Sequence, residues 1–365
     1  MTESRLFEPL KIGNVQVRHR LGMPSLTRSR ATEARVPTSL MKEYYSQRAS
    51  VPGTLLLSEG TFISPSCGGF PNAPGIWNSD QIEAWRGITD EVHRKDCFIF
   101  CQLFAMGRAA DAEVARKEGF PILAPSAIPF EGGAMPQSMT TKDIEQTIQA
   151  FADAAKNAIS AGFDGVECHA ANGYLIDQFI QDTSNKRDDK YGGSVENRSL
   201  FAKRVMDALV GAVGAERVGL RLSPWSTFQG MRMADPIPQF IDVIKKANEL
   251  NLAYLHLVES RISGSDDCNG GDQLDFAYKL WNGPLLIAGG YTPGEARRLV
   301  DLEHPNKNIV VMFGRYFISN PDLVYRIKEG LELNKYNRET FYVSHSSAGY
   351  VDYPFSKEYL AGREV

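Results

Sequence analysis

A chain of 365 residues, 43% apolar and 23% charged, can bury a large core and lies within the length range of one elaborated barrel domain. A formal net charge of −4 without a long basic run argues against a nucleic-acid surface. No apolar stretch approaches the roughly 20 residues that span a bilayer, and the opening residues lack the basic-then-apolar pattern of a signal peptide. Five cysteines, Cys67, Cys97, Cys101, Cys168 and Cys268, are odd in number and scattered. They form no disulfide framework, so a reduced, cytoplasmic setting is expected. Cys97 and Cys101 lie four apart in an apolar run, which predicts two thiols packed on one side of a strand.

Along the chain, Leu6 to Val17 holds two short alternating segments around Gly13-Asn14, the signature of a hairpin. Eight short apolar runs follow: Leu21 to Leu26, Thr54 to Ser58, Cys97 to Phe104, Gly165 to His169, Val218 to Ser223, Tyr254 to Val258, Pro284 to Ala288 and Ile309 to Phe313. Helical spacing is clearest in Thr141 to Ser160, where Ile144, Ile148, Phe151, Ala155 and Ile159 share one face. Thr140 with Asp143 reads as its capping box and Gly162 as its stop. Asn197 to Val213, Pro238 to Leu250 and the shorter Gly294 to Leu302 are further helices. Buried strands alternating with helices imply parallel pairing. The expected fold is therefore α/β, a (β/α)8 TIM barrel forming a single domain over 1–365 with the hairpin at its base. An open doubly wound sheet is the competitor, but it lacks the Gly-x-Gly-x-x-Gly fingerprint. The long Gly/Pro-rich segment 105–139 after the third strand predicts a lid loop. Arg261 to Gln273 is a second such segment, and 336–365 is expected to close over the site.

Side chains at the C-terminal ends of barrel strands converge on the site. Here those are Pro24 and Thr27, Glu59 and Gly60, Gln102, His169 with Asn172, and Arg221. Strand seven ends in Gly289-Gly290 and strand eight in Gly314-Arg315, a pattern suited to a phosphate, or else two ordinary turns with a surface arginine. Arg221 alternates with Leu220 and Leu222 and so points into the mouth, where a bound anion or a salt bridge to Glu59 or Glu167 would neutralise it. His169 and Asn172, three apart, would share one face of a helical turn, with Tyr174 following Gly173. Taken singly, each has a bland explanation in core, cap or packing. Together they suggest a grip on a carbonyl oxygen beside a proton donor. His256 reads as core, and no His-Glu-x-x-His, Cys-x-x-Cys or Gly-x-Ser-x-Gly appears, so no metal is expected.

The sequence resembles the Old Yellow Enzyme family of FMN-dependent ene-reductases over nearly its whole length. The landmarks include Pro24-Ser25-Leu26-Thr27-Arg28, Glu59-Gly60, His169-Ala170-Ala171-Asn172-Gly173-Tyr174-Leu175, Arg221-Leu222-Ser223-Pro224 and Phe313-Gly314-Arg315. It is most similar to the fungal branch, which includes reductases of ergot-type alkaloid aldehydes. The resemblance implies non-covalent FMN with NADPH or NADH as hydride donor. Pro24 and Thr27 would flank the flavin, Gly60 line it through its backbone, and Gln102 bond its pyrimidine edge. Arg221 would stabilise the anionic reduced form, and Gly289, Gly290, Gly314 and Arg315 would hold the phosphate. His169 and Asn172 would bind the substrate carbonyl, Tyr174 would donate the proton, and Phe104, Phe228 and Tyr350 would wall the pocket.

Phe104 stands where the yeast prototypes carry Trp, which reshapes the pocket, and Asn172 selects the His-x-x-Asn subgroup. The implied activity is reduction of the activated C=C of α,β-unsaturated aldehydes or ketones in fungal secondary metabolism. The alternatives are a flavin-dependent isomerase or cyclisation enzyme, a flavin-free phosphate-binding barrel lyase or isomerase, and a barrel kept only as a scaffold. The expected partner is a small molecule, with the protein itself a monomer or homodimer.

Overall fold

In the computed structural model, which describes residues 4–264, 266–268 and 270–362, the eight apolar runs form eight parallel strands. A hairpin precedes them, β1 (Leu10–Ile12) and β2 (Val15–Val17), with Gly13 at φ +53 in the turn. The barrel strands are β3 (Leu21–Met23), β4 (Leu55–Leu57), β5 (Phe98–Phe104), β6 (Gly165–Ala170), β7 (Val218–Leu222), β8 (Tyr254–Val258), β9 (Leu285–Ala288) and β10 (Ile309–Met312). Each pairs with the next, and β10 pairs with β3 through Val311 opposite Leu21, so the sheet closes on itself.

Alternation along the strands divides the apolar residues into two layers. Leu55, Leu57, Phe100, Tyr254, Leu286, Val310 and Met312 fill the interior, and Leu10, Ile12, Val15 and Val17 of the hairpin plug its base. The outward residues, Leu56, Ile99, Cys101 and Val166 among them, pack against the helices. Cys97 and Cys101 belong to this outer layer, buried and unpaired. Helix Thr141–Ser160 turns Ile144, Ile148, Phe151 and Ala155 inward, and Thr140 and Asp143 close its N-terminus reciprocally. The other predicted helices appear as Val195–Val213, Ile237–Glu249 and Pro293–Arg298. The longest of those not anticipated, Ser39–Arg48 and Ser79–His93, follow β3 and β4. No helix among the described residues is long and apolar enough to cross a membrane.

Segment 105–139 contains more order than its composition suggests. Asp111 caps a helix over Ala112–Glu118, and Leu123–Ala124 pairs with Gln137–Ser138. The C-terminal segment is fastened to the loop after β3 by buried arginines. Arg28 donates to the carbonyls of Phe341 (3.0 Å) and Gly349 (2.7 Å), and Arg30 to those of Phe341 (2.9 Å) and Thr340 (3.1 Å).

Candidate active site

The C-terminal mouth of the barrel opens into a cavity of about 720 Å³, within the range of small-molecule and cofactor sites. Pro24, Thr27, Gln102, Phe104, His169, Asn172, Tyr174, Arg221, Phe228, Gly289, Gly290, Gly314 and Arg315 all line it. Strand ends bring them together: residues far apart in sequence meet because parallel strands finish at the same rim.

His169 and Asn172 do not share a helical turn. His169 lies within β6, and Asn172 follows in a left-handed turn at φ +57, with Gly173 at φ +74. Two hydrogen bonds hold this strained turn: the Asn172 amide donates to Ser223 Oγ (2.7 Å) and the Gly173 amide to Asp177 Oδ2 (2.9 Å). The turn delivers Tyr174 against both its neighbours, its ring centre 5.0 Å from that of His169 and 5.3 Å from that of Phe104. Burial, with Arg221 next in effect, pushes the His169 pKa well down, so the imidazole is neutral; its Nδ1 is buried without a partner. Burial pushes the Tyr174 phenol up to about 12. The wall therefore carries neutral side chains able to donate hydrogen bonds and a phenol that keeps its proton.

The opposite requirement is met by two cations. Arg221 lines the floor with no hydrogen bond or ion pair among the described residues, and its Nε is buried. Of the two ways to neutralise Arg221, a salt bridge to Glu59 or Glu167 is not formed: Glu167 instead accepts from Gln102 Nε2 (2.7 Å) and His256 Nδ1 (2.8 Å). At the far end Arg315 holds Asp267 in a two-pronged contact, Nη1 to Oδ2 at 2.7 Å and Nη2 to Oδ1 at 2.5 Å. A carboxylate thus stands where the sequence predicts a phosphate. A Cβ on Gly290 would lie 2.9 Å from Arg315 Nη2, so the bare glycine backbone leaves that space open. An unpaired cation, a neutral imidazole with an orphaned nitrogen and a guanidinium already gripping an anion fit a flat, phosphorylated cofactor such as FMN.

Two expected site residues lie elsewhere. Tyr350 is not on the cavity wall: it is fully buried, stacked on Tyr44 at 4.2 Å, with the guanidinium of Arg30 4.6 Å from its ring. Gly60 does not line the cavity either but sits behind Phe104, where a Cβ would come 2.7 Å from the ring. The aromatic wall is instead completed by Phe70, Tyr336, Phe341 and Tyr342. These are single aromatics in irregular segments, and no spacing marks them in the sequence. From 105–139 only Met106 reaches the cavity; Arg108 braces the neighbouring turn through the Gln229 carbonyl (3.0 Å). Among the described residues no cluster of His, Cys, Asp or Glu could hold a metal ion.

A family model described as the NADH:flavin oxidoreductase / NADH oxidase family matches residues 5–334. "Chanoclavine-I aldehyde reductase fgaOx3" of Penicillium roqueforti is 49% identical over 99% of each chain. "Probable inactive dehydrogenase easA" of Claviceps purpurea is 48% identical over 99% of this chain and 97% of the relative. The crystal structure of Old Yellow Enzyme from Pichia sp. AKU4542 superposes with a TM-score of 0.90 at 41% identity, covering 97% of this chain and 94% of that one.

Proposed function

The chain belongs to the NADH:flavin oxidoreductase / NADH oxidase family, and from that premise we propose that it reduces the activated C=C of α,β-unsaturated aldehydes or ketones. It is an FMN-dependent oxidoreductase of the Old Yellow Enzyme type, with NADPH or NADH as reductant. The name of the Penicillium roqueforti relative supports an aldehyde as substrate and secondary metabolism as the setting. Five unpaired cysteines support a cytoplasmic location.

One observation carries the proposal: His169, Asn172 and Tyr174 meet on one wall of the cavity whose floor is the unpaired Arg221. FMN, when bound, would supply the hydride chemistry that links the nicotinamide to the β-carbon of the alkene. Arg315 with Gly289, Gly290 and Gly314 would hold its phosphate, Pro24 and Thr27 would flank its ring, and Arg221 and Gln102 would meet its polar edge. His169 and Asn172 hold the substrate oxygen and stabilise the charge that grows there, an effect worth about 2.7–4 kcal/mol per well-aimed donor. Neutral His169 does this by hydrogen bonding alone. Tyr174 keeps its proton on the phenolic oxygen and gives it to the α-carbon. Phe104, Phe228 and the aromatic wall exclude water and present an apolar face to the substrate.

The test is anaerobic reduction of the purified holoprotein with NADPH, followed by reoxidation with a panel of enals and enones. Saturated carbonyl products formed one for one with reoxidised flavin are expected. Reoxidation by none of the panel would remove the proposed substrate class.

A further inference from the structure

Beneath the mouth, the interior holds a buried carboxylate that no step above uses. Strand register sets Gln102 of β5 beside Glu167 of β6, and Glu167 beside Gly219 of β7. Two residues along β7, Arg221 lies between His169 and His256 on the flanking strands. Glu167 and His256 have no exposed side-chain surface. A Cβ on Gly219 would lie 2.1 Å from Tyr254 Cζ, so glycine there admits the Tyr254 ring into the same layer.

The hydrogen bonds around Glu167 are directional. Gln102 Nε2 donates to Oε1 at 2.7 Å, His256 Nδ1 to Oε2 at 2.8 Å, and Ser25 Oγ to Gln102 Oε1 at 2.6 Å. The Gln102 amide is thereby fixed in one orientation at the cavity floor. His256 Nε2 is buried without a partner, so a second proton there would be an unsatisfied donor as well as a buried charge. The ring is neutral with its proton on Nδ1, in keeping with burial drawing its pKa down. Burial alone would raise the Glu167 carboxyl, but His256, Arg221 and Gln102 hold it below the usual carboxylate range. Glu167 is in turn the group that most favours the charged form of Arg221. One anion and one cation therefore share this layer, the anion sealed from solvent and the cation facing the cavity.

We propose that Glu167 sets the charge and the orientation of the floor on which FMN rests: it offsets part of the Arg221 charge, fixes the Gln102 amide, and keeps the flavin reduction potential lower than Arg221 alone would allow. The inference rests on the flavin assignment above. Hydride carries two electrons and one proton, so the reduced cofactor bears one more negative charge than the oxidised one. A buried cation favours that form and a buried anion opposes it. The lowered potential makes the bound cofactor a stronger hydride donor to the alkene. Glu167 is a positioning residue, since it acts through Arg221 and Gln102.

The decisive variant is Glu167→Gln in the holoprotein. It keeps the shape, and His256 can receive the new amide N–H at Nδ1 by moving its proton to Nε2, at the cost of one buried donor without a partner. FMN is expected to remain bound one to one, with its midpoint potential shifted positive by about 30 mV or more, a tenfold preference for the reduced form. A bound flavin at the parental potential, or one shifted negative, would overturn the proposal. A merely structural role would alter thermal stability and leave the potential in place. If Glu167→Gln yields no holoprotein, Glu167→Met removes the same charge from a similar volume and should move the potential the same way; no movement there overturns the proposal equally. Failure of the parental chain to bind FMN would instead sink the flavin assignment, which keeps the two outcomes distinct.

Discussion

Arg315 grips Asp267 through both guanidinium prongs, at 2.7 and 2.5 Å, at the end of the cavity expected to take a phosphate. Asp267 is mostly exposed, with 62% of its side chain open to solvent, so this pair contributes little, of order 0–1 kcal/mol. A phosphate offers the same two-pronged geometry with more charge and displaces the carboxylate at small cost. Arg315→Ala should weaken FMN binding by roughly 10- to 100-fold, as expected for a charge-assisted hydrogen bond of about 1.5–3 kcal/mol. Flavin fluorescence on titrating apoprotein measures this, and unchanged retention after dialysis would count against the phosphate assignment.

Tyr174 should matter in one half of the cycle only. Tyr174→Phe is expected to leave flavin reduction by NADPH intact and slow alkene reduction by about 10²- to 10⁴-fold. Stopped-flow traces of the two half-reactions separate these effects, and equal loss in both rejects the proton-donor role. Because burial pushes the phenol up to about 12, the parental alkene-reduction rate should show no Tyr174 inflection between pH 6 and 10.

His169→Ala and Asn172→Ala should each slow alkene reduction by on the order of 10²-fold or more, with the larger effect on kcat/KM. His169 is held neutral by burial, so the parental profile should show no rise as pH falls from 7 to 5.5. An activation with imidazole protonation would mean that His169 works as a cation.

Glu59 gives a stability prediction. Burial raises its pKa from 4.5 to about 7, against the pull of the Arg28 amide and the nearby guanidinium groups. The folded state then holds a proton that the unfolded chain releases near pH 4.5, so this stabilising contribution is full below pH 4.5 and is lost as pH rises toward 7. Each pH unit in that window removes up to about 1.4 kcal/mol. Glu59→Gln should flatten the fall in urea midpoint between pH 5 and 7; parallel curves for the two proteins would show that Glu59 ionises normally.

The barrel was legible in the sequence because a closed parallel sheet writes each strand as a short apolar run, and the hairpin plug carries its own turn signal at Gly13-Asn14. Helix Ser79–His93 carried a usable signal, with Gln81, Trp85, Ile88 and Val92 at helical spacing behind the Asn78 cap. Ser39–Arg48 carried a fainter one: Met41, Tyr44, Tyr45 and Arg48 fall at i, i+3, i+4 and i+7, but phenols and a guanidinium take the place of aliphatic residues on that face. Site residues on strand ends were legible for the same reason as the strands. The aromatic wall was not: Tyr350 and Tyr342 are equally plausible from sequence, and only the pinning of the segment by Arg28 and Arg30 decides which faces inward.

That pinning joins the two ends of the chain, for Arg28 and Phe341 are 313 residues apart. The family match stops at residue 334, and Tyr336, Phe341 and Tyr342 come after it. Strand ends supply the groups that handle charge and protons, while much of the surface against which a guest molecule is sized hangs from a separate tail, buttoned to the body through main-chain carbonyls. Because main-chain carbonyls are indifferent to side-chain identity, the tail can exchange the aromatics that face the cavity while Tyr350, stacked on Tyr44, keeps its place, and selectivity can drift while the redox apparatus stays as it is.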